Sequence, residues 1–271
     1  MTAIMKIQDL HSGYGNDNVI KGIDLNIAKG ELVGIIGPNG SGKTTLLRTM
    51  TGILKPQNGK IFIDTENLSK IAHREIAKKI AVVKQNIEPT MLSINDYVLM
   101  GRFPYYNKFQ FFEKQDDRKL ANKYMRLTDV YGLRHKLMSD ISGGERQRAQ
   151  IAKALTQEPA ILLLDEPTSQ LDIAHQIKIL DLIKRLNRDM SFTVIMVIHD
   201  LNMASEYCSN LIMLKNGKVF KSGTPNDVLT YQNVEEVYNA VVIVQNNPLT
   251  NKPYIIPVTE EAKNKKRIKR E

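Results

Sequence analysis

Gly37-Pro38-Asn39-Gly40-Ser41-Gly42-Lys43-Thr44 follows a short apolar run, residues 32–36, and opens a helix-like run that reaches Gly52. A G-x-x-x-x-G-K-[ST] string in that strand, loop, helix order forms a cradle for phosphate. The chemistry demands this composition. Glycines let backbone N–H groups turn inward with no Cβ in the way. Those groups and the helix N-terminus together make a site of partial positive charge, suited to a polyphosphate. Lys43 is placed to reach the terminal phosphates, and the Thr44 hydroxyl to ligate Mg²⁺. The alternative is a glycine-rich β-to-α turn and nothing more, but the full pattern between a strand and a helix is rare by chance. The stretch reads as a nucleotide site.

Working outward, the 271 residues suffice for one large domain, or for a core domain with a smaller one inserted. Apolar content of 42% and charged content of 25% are ordinary for a soluble globular protein. Net charge is +9, and part of the excess sits at the end, in Lys263, Lys265, Lys266, Arg267, Lys269 and Arg270. Such a run reads as a solvated tail, with contact to anionic lipid or nucleic acid as the alternative. The single cysteine, Cys208, cannot form an internal disulfide, consistent with a reducing compartment. Residues 1–10 show strand-like alternation rather than a basic region leading into an apolar core, so no signal peptide is expected. The longest apolar runs, such as 194–198, fall far short of the roughly 20 residues that span a bilayer. A soluble protein is expected, with any membrane role coming through a partner.

Residues 4–10 and 19–27 alternate apolar with polar around a turn-rich His11-Ser12-Gly13-Tyr14-Gly15-Asn16, which predicts antiparallel sheet. Another short strand is expected at 60–63, after an Asn58-Gly59 turn. Tyr14, in the first loop, is most simply surface packing; upstream of a phosphate loop it can also stack on a purine ring. A short helix and a strand over 80–83 lead to Lys84-Gln85. Beyond Gln85 helical pattern dominates to about residue 140, with an aromatic cluster of Phe103, Tyr105, Tyr106, Phe109, Phe111 and Phe112. An inserted helical subdomain is expected there.

Ser142-Gly143-Gly144-Glu145 is a capping box for a helix running to about Gln157, before Pro159. Two glycines in a first turn are poor for stability; their use is to leave backbone N–H groups bare for an anion. Ile161-Leu162-Leu163-Leu164 is a continuous apolar run, as expected of a parallel strand buried on both faces. It ends in Asp165-Glu166-Pro167. Adjacent carboxylates at such a strand end are costly without partners, and ligand sites lie at that edge. Asp165 reads as a direct or outer-sphere Mg²⁺ ligand and Glu166 as a base that orients and deprotonates water. The apolar run at 193–198 ends in His199-Asp200 and is expected beside the strand ending in Glu166. His199 is then either structural or a sensor of the γ-phosphate. A hairpin through Asn216-Gly217, two short helices over 225–240 and two terminal strands complete the expected elements. No internal repeat is present.

These residues in this order resemble the nucleotide-binding subunits of ABC transporters over about residues 4–240. Gly37 to Thr44, with Thr45, is similar to the Walker A loop, and Gln85 to the Q-loop glutamine. Ser142-Gly143-Gly144-Glu145-Arg146-Gln147 resembles the signature motif, and 161–165 with Glu166 resembles Walker B and its catalytic glutamate. Ser169-Gln170-Leu171-Asp172 resembles the D-loop and His199 the switch histidine; Tyr14 falls where the family's adenine-stacking aromatic sits. Ile141 stands where leucine is usual and Gln170 where alanine is commoner; neither change removes a phosphate ligand. Met100-Gly101-Arg102-Phe103-Pro104-Tyr105 and Leu171-Asp172-Ile173-Ala174-His175-Gln176 look most like importer subunits for iron(III) siderophores, haem and cobalamin.

The resemblance implies an α/β fold: a P-loop NTPase core with a mixed parallel sheet, an N-terminal antiparallel β subdomain and an inserted α-helical subdomain. The expected division is a core of about 1–87 and 159–240, a helical subdomain of about 88–158, a C-terminal extension at 241–262 and a tail at 263–271. It further implies ATP and Mg²⁺, with Lys43, Glu166 and His199 catalytic. ATP contacts would come from Tyr14, the 37–45 loop and Gln85, and metal contacts from Thr44, Gln85 and Asp165. Ser142, Gly143, Gly144, Glu145 and Gln147 would touch the ATP of a twin subunit in a two-fold dimer, with Asp172 in the D-loop. Gln85 would report Mg²⁺ and γ-phosphate to the helical subdomain, and residues near 86–112 would dock on a membrane permease, with a solute-binding protein engaged indirectly. The implied location is the cytoplasmic face of the membrane, and no nucleic acid is expected. Two other classes remain open. A non-transport ATPase of the superfamily acting on nucleic acid or ribosomes would tend to carry two ATPase domains or a long coiled-coil insert. A P-loop small-molecule kinase would have no use for the signature box or His199.

Overall fold

Alternating apolar and polar residues at the start of the chain make a sheet with one wet face and one buried one. β1 (Ala3–Tyr14) and β2 (Asp17–Ala28) pair antiparallel. Both run further than the alternation suggests. Residues 11–14, expected as a turn, continue β1 because bulges between Ile7 and Leu10 and between Ser12 and Gly13 absorb the mismatch. Tyr14 therefore ends a strand, opposite Asp17, instead of lying in a loop. The computed structural model describes residues 2–85, 90–107, 110 and 112–261. The expected subdomain junction near 88, Phe109 and Phe111 of the aromatic cluster and the basic tail at 263–271 lie outside the described residues.

β3 (Leu32–Ile36), buried throughout, leads through the phosphate loop into α1 (Lys43–Met50). β4 (Asn58–Ile63) and β5 (Glu66–Asn67) return to the first sheet, ordered β2-β1-β4-β5. Asn58-Gly59 is thus the start of β4 and not a turn before it, with Asn58 opposite His11. α2 (His73–Lys79) hands over directly to β6 (Ile80–Val83). α3 (Ile94–Leu99), α4 (Gln115–Leu127) and α5 (Gly143–Thr156) follow before β7 (Ile161–Asp165). Then come α6 (Ile173–Met190), β8 (Thr193–Val197), α7 (Leu201–Tyr207) and the hairpin of β9 (Asn210–Lys215) and β10 (Lys218–Gly223). The second sheet is ordered β10-β9-β3-β8-β7-β6 and is parallel except at β10. α8 (Pro225–Val228), α9 (Tyr231–Tyr238) and a small hairpin, β11 (Val242–Asn246) with β12 (Pro253–Pro257), close the described chain. No helix among the described residues is long and apolar enough to cross a membrane.

Parallel strands covered on both sides sort their side chains by parity. Val33, Ile35, Leu163, Ile195 and Val197 face the antiparallel sheet and α1, packing with Met5, Ile7, Ile20 and Leu46. Leu32, Ile36, Leu162, Leu164 and Met196 face the other way, onto Ile151, Leu155, Ile179 and Ile183. A third cluster joins Ile94, Val98, Ala121, Met125, Ala149 and Ala152 across α3, α4 and α5. α5 belongs to two cores at once, so a displacement of this helix is felt both by the sheet and by the inserted helices.

Arg102, in the 3-10 turn Met100–Tyr105, fastens that arrangement. It is buried, and its guanidinium donates to Asp117 Oδ1 at 2.9 Å, Glu158 Oε2 at 3.0 Å and the Thr156 carbonyl at 3.0 Å. It also stacks 3.8 Å from the centre of the Tyr105 ring. The bonds tie α4 to the C-terminal end of α5. Removing one partner leaves the buried Asp117 carboxyl unpaired, so Arg102→Met is expected to destabilise the fold by about 3–5 kcal/mol. A shift of the urea midpoint at constant slope measures it, and a loss below about 1 kcal/mol would mean that water already screens the pair.

Candidate nucleotide-binding and catalytic site

Parallel pairing lines up three strand ends. Ile35 of β3 lies opposite Val197 of β8, and Val197 lies opposite Asp165 of β7. Two residues beyond Ile35 and Val197 come Gly37 and His199; one beyond Asp165 comes Glu166. The expectation that the strand ending in His199 lies beside the one ending in Glu166 is met.

The phosphate loop is held tightly where it leaves β3. Gly37 has φ +148°, and a Cβ there would lie 2.4 Å from the Leu214 carbonyl oxygen. Pro38 is half-buried, while Asn39 and Gly40 form an exposed crest. The Ser41 amide donates to the Pro38 carbonyl at 3.2 Å, and Ser41 Oγ is buried with no protein partner. Gly42, left-handed, precedes α1, and no side chain caps that helix. Its first-turn amides are therefore free for an anion. Lys43 is buried and folds back over the loop, donating from Nζ to the carbonyls of Gly37 at 2.8 Å and Pro38 at 2.9 Å. Burial lowers its pKa, against the opposing charges of Glu166 and Asp165. Thr44 is half-buried and Thr45 buried at the start of α1.

Asp165 Oδ1 is buried and nothing in the protein donates to it. Burial pushes its carboxyl above the usual range and the Glu166 charge adds to that, while Arg48 and a hydrogen bond with Thr44 pull the other way. An oxygen acceptor without a donor, beside the Thr44 hydroxyl, is the kind of ligand a hard divalent cation takes. Glu166 adopts φ +51°, a left-handed conformation that costs a non-glycine residue about 1–3 kcal/mol. Its carboxylate accepts from Gln85 Nε2 at 2.6 Å and from His199 Nε2 on the other oxygen. Residues beyond β6, β7 and β8 thus meet on one carboxylate.

Ser142 caps α5 as expected. Its Oγ accepts from the Glu145 amide at 3.3 Å, and the Glu145 carboxylate accepts from the Ser142 amide at 2.8 Å and hydroxyl at 2.7 Å. Those bonds hold the Glu145 carboxyl below its ordinary range. Gly143 is exposed and Gly144 buried. Among the described residues no hydrogen bond joins 142–145 to the phosphate loop of the same chain. Gln147 is buried and lines a cavity of about 110 Å³ with Gln85, Gly143, Glu166 and Ser169 of its own subunit. Helical spacing explains this, since Gln147, Ile151 and Leu155 share the inward face.

Asp172 is the exposed N-cap of α6, accepting from the His175 amide at 2.9 Å. Tyr14 is about half exposed, and its hydroxyl accepts from Arg48 at 3.0 Å. Arg48 escaped the sequence reading. It lies four residues after Thr44 on α1, a spacing that puts both on one helix face, and it meets Tyr14 while its charge acts on Asp165.

A family model described as ABC transporter matches residues 20–169. The ferric enterobactin transport ATP-binding protein FepC of Escherichia coli K12 is 37% identical over 261 residues, covering 96% of this chain and 96% of that protein. The iron(3+)-hydroxamate import ATP-binding protein FhuC of Bacillus subtilis is 37% identical over 250 residues, covering 92% and 93%. Among solved structures, an inward-facing putative metal-chelate type ABC transporter aligns with TM-score 0.84 at 27% identity, covering 96% of this chain and 99% of that one. The dimeric bacterial ABC transporter cassette MJ0796 aligns with TM-score 0.70 at 32% identity, covering 81% and 98%. Phosphate loop, strand-end carboxylates, capped α5 and these likenesses agree: the chain belongs to the ABC transporter family, as one of its ATP-binding proteins, which hydrolyse ATP to drive transport.

Proposed function

We propose that the chain powers import of an iron(III)-siderophore, haem or cobalamin-type cargo, working as a two-fold dimer beneath a separate permease that a solute-binding protein loads. The observation that carries the ATPase half is the meeting of Gln85, Glu166 and His199 on one carboxylate at the phosphate-loop edge of the sheet. The cargo class rests on the relatives, whose names specify ferric enterobactin and iron(3+)-hydroxamate. A chain without a spanning helix among its described residues acts at the membrane through its partners, here at the cytoplasmic face. Exposed Met91, Phe103 and Phe112 on the inserted helical region suit that docking; residues 86–89, 108, 109 and 111 of the same stretch lie outside the described residues.

In this reading the loop amides and the α1 N-terminus take the phosphates, and Lys43 exchanges two carbonyls for phosphate oxygens. Tyr14 stacks on the adenine. Thr44, Asp165 and Gln85 would hold Mg²⁺, which neutralises phosphate charge when bound. Glu166 exchanges its contacts with Gln85 and His199 for the attacking water, orients it in line and accepts its proton. His199 turns its freed N–H toward the γ-phosphate. The capped α5, whose first turn makes no hydrogen bond to the phosphate loop of its own chain among the described residues, closes on the nucleotide of the twin through Ser142, Gly143 and Gly144. An isologous pair uses both half-sites twice. Gln85 carries the occupancy of the site to the inserted helices.

Two outcomes test the assignments. Glu166→Gln is expected to bind ATP and dimerise while turnover falls by about 10²–10⁴-fold, read by steady-state phosphate release; hydrolysis at the wild-type rate would contradict the base assignment. Tyr14→Ala should weaken ATP binding by about 1–3 kcal/mol, the usual worth of one aromatic under a base. Titration calorimetry with ATP and with a triphosphate lacking the base separates this from a general loss, because only ATP should suffer.

A further inference from the structure

Leu171-Asp172-Ile173-Ala174-His175-Gln176 carries much of this chain's likeness to chelate importers, yet the mechanism above gives none of its residues a role. The two residues that end it make specific contacts. The Asp172 carboxylate that caps α6 also takes the His175 ring, with Nδ1 2.9 Å from Oδ1 and 2.8 Å from Oδ2. An ionised carboxylate only accepts, so Nδ1 carries the proton and the ring orientation is set. The His175 backbone bond, and then the ring bond, hold the Asp172 carboxyl below its ordinary range. Gln176 donates from Nε2 to the carbonyls of Leu171 at 2.9 Å and Thr168 at 3.3 Å. The loop at 169–172 is thereby held from behind by the first turn of α6.

What the ring rests against is the first turn of α5. A Cβ built on Gly144 would lie 2.8 Å from His175 Cδ2 and 3.5 Å from its Cγ and Nε2, and those are the three nearest atoms. A Cβ on Gly143 would meet Leu171 Cδ2 at 3.7 Å. Each glycine of that turn therefore has a residue of the D-loop segment where its side chain would project. A plain helix cap does not require this. Asp172 caps α6 through its bond to the His175 amide alone, whatever the ring does. The ring, with 41% of its side chain exposed, is kept over Gly144 by its own bond to Asp172.

We infer that His175 is a positioning residue that locks the 169–172 loop to the Gly144 face of α5, so that the two segments meeting the twin subunit move as one body. The inference rests on the dimeric ATPase reading. Movement of α5 toward a partner's phosphate presses Gly144 on the imidazole, and the imidazole carries Asp172 with it. The loop reaches the twin only when the capped turn does. Loss of the ring leaves the phosphate loop and its affinity intact but uncouples the two trans contacts, so turnover falls and apparent affinity does not.

The test uses the purified 271-residue chain, with kcat and KM for ATP measured separately. ATP-dependent dimerisation is followed in the Glu166→Gln background. His175→Ala is expected to lower kcat about tenfold, a typical result of misplacing site groups by a fraction of an ångström, with KM unchanged within about twofold. His175→Asn, whose amide can donate to Asp172 from the Nδ1 position, should recover most of the loss. Gly144→Ala should be impaired and should regain activity when combined with His175→Ala, a non-additive pair expected of direct contact. Wild-type kcat in His175→Ala, an Asn variant as poor as Ala, or a Gly144→Ala defect indifferent to His175 each overturns the inference. A wild type that neither hydrolyses ATP nor pairs overturns the transporter reading and this inference with it, whereas silent variants of an active wild type overturn this inference alone.

Discussion

One residue of strand register decides whether this site exists. β3, β8 and β7 run parallel with Ile35, Val197 and Asp165 in a row, and the phosphate loop, His199 and Glu166 all begin within two residues of that row. A slip of β7 by one residue would turn Asp165 and Glu166 to opposite faces. Apolar burial alone does not forbid it, because these strands are covered on both sides. Shape does. Gly34 of β3 faces Cys208 and Leu211 so closely that a Cβ would sit 2.7 Å from Cys208 Sγ and 2.8 Å from Leu211 Cδ2. A shifted β3 would bring Val33 or Ile35 to a place with no room even for alanine. The packing of the sheet is in this sense the first component of the site.

The groups that would engage nucleotide are not idle without it. Lys43 donates to two carbonyls of its own loop, Glu166 is held by Gln85 and His199, and Ser142 and Glu145 cap each other. Each contact has a partner that a phosphate oxygen or water can replace, so binding exchanges one set of hydrogen bonds for another and its net gain is modest per bond. Asp165 Oδ1 and Ser41 Oγ at the phosphate loop, and Gln147 Nε2 on α5, are instead buried without a protein partner. Those are positions where a bound group adds an interaction instead of replacing one. α5, anchored in the cores of the sheet and of the inserted helices, connects this exchange to the inserted helical region.

The features legible in the sequence were those set by local chemistry. The unbroken apolar run ending at Asp165 marked a two-sided buried strand, the Asn216-Gly217 pair marked a hairpin, and Ser142 with Glu145 marked a helix start; all three are found. What misled was punctuation whose local meaning the sheet overrides. His11 to Tyr14 and Asn58-Gly59 have turn-forming residues but pair within β1 and β4, because bulges and neighbouring strands supply the hydrogen bonds. That Gln147 is buried was legible in its spacing from Ile151 and Leu155, which puts it on the inward face of α5. Arg48 could have been found by counting four residues from Thr44. The contact of His175 with Gly144 could not, since it joins two helices whose packing no local pattern encodes.

The central claim is that a nucleotide held by one subunit is completed by the α5 turn of its twin. Mixing two inactive variants tests it most directly: Lys43→Ala, which loses the phosphate loop, and Ser142→Arg, which blocks the capped turn. A mixed dimer pairs the intact loop of one with the intact turn of the other, so ATP hydrolysis should reappear on mixing at a level neither variant reaches alone. Hydrolysis by Ser142→Arg alone at the wild-type rate, or no recovery in mixtures shown by mass to contain mixed dimers, would contradict it.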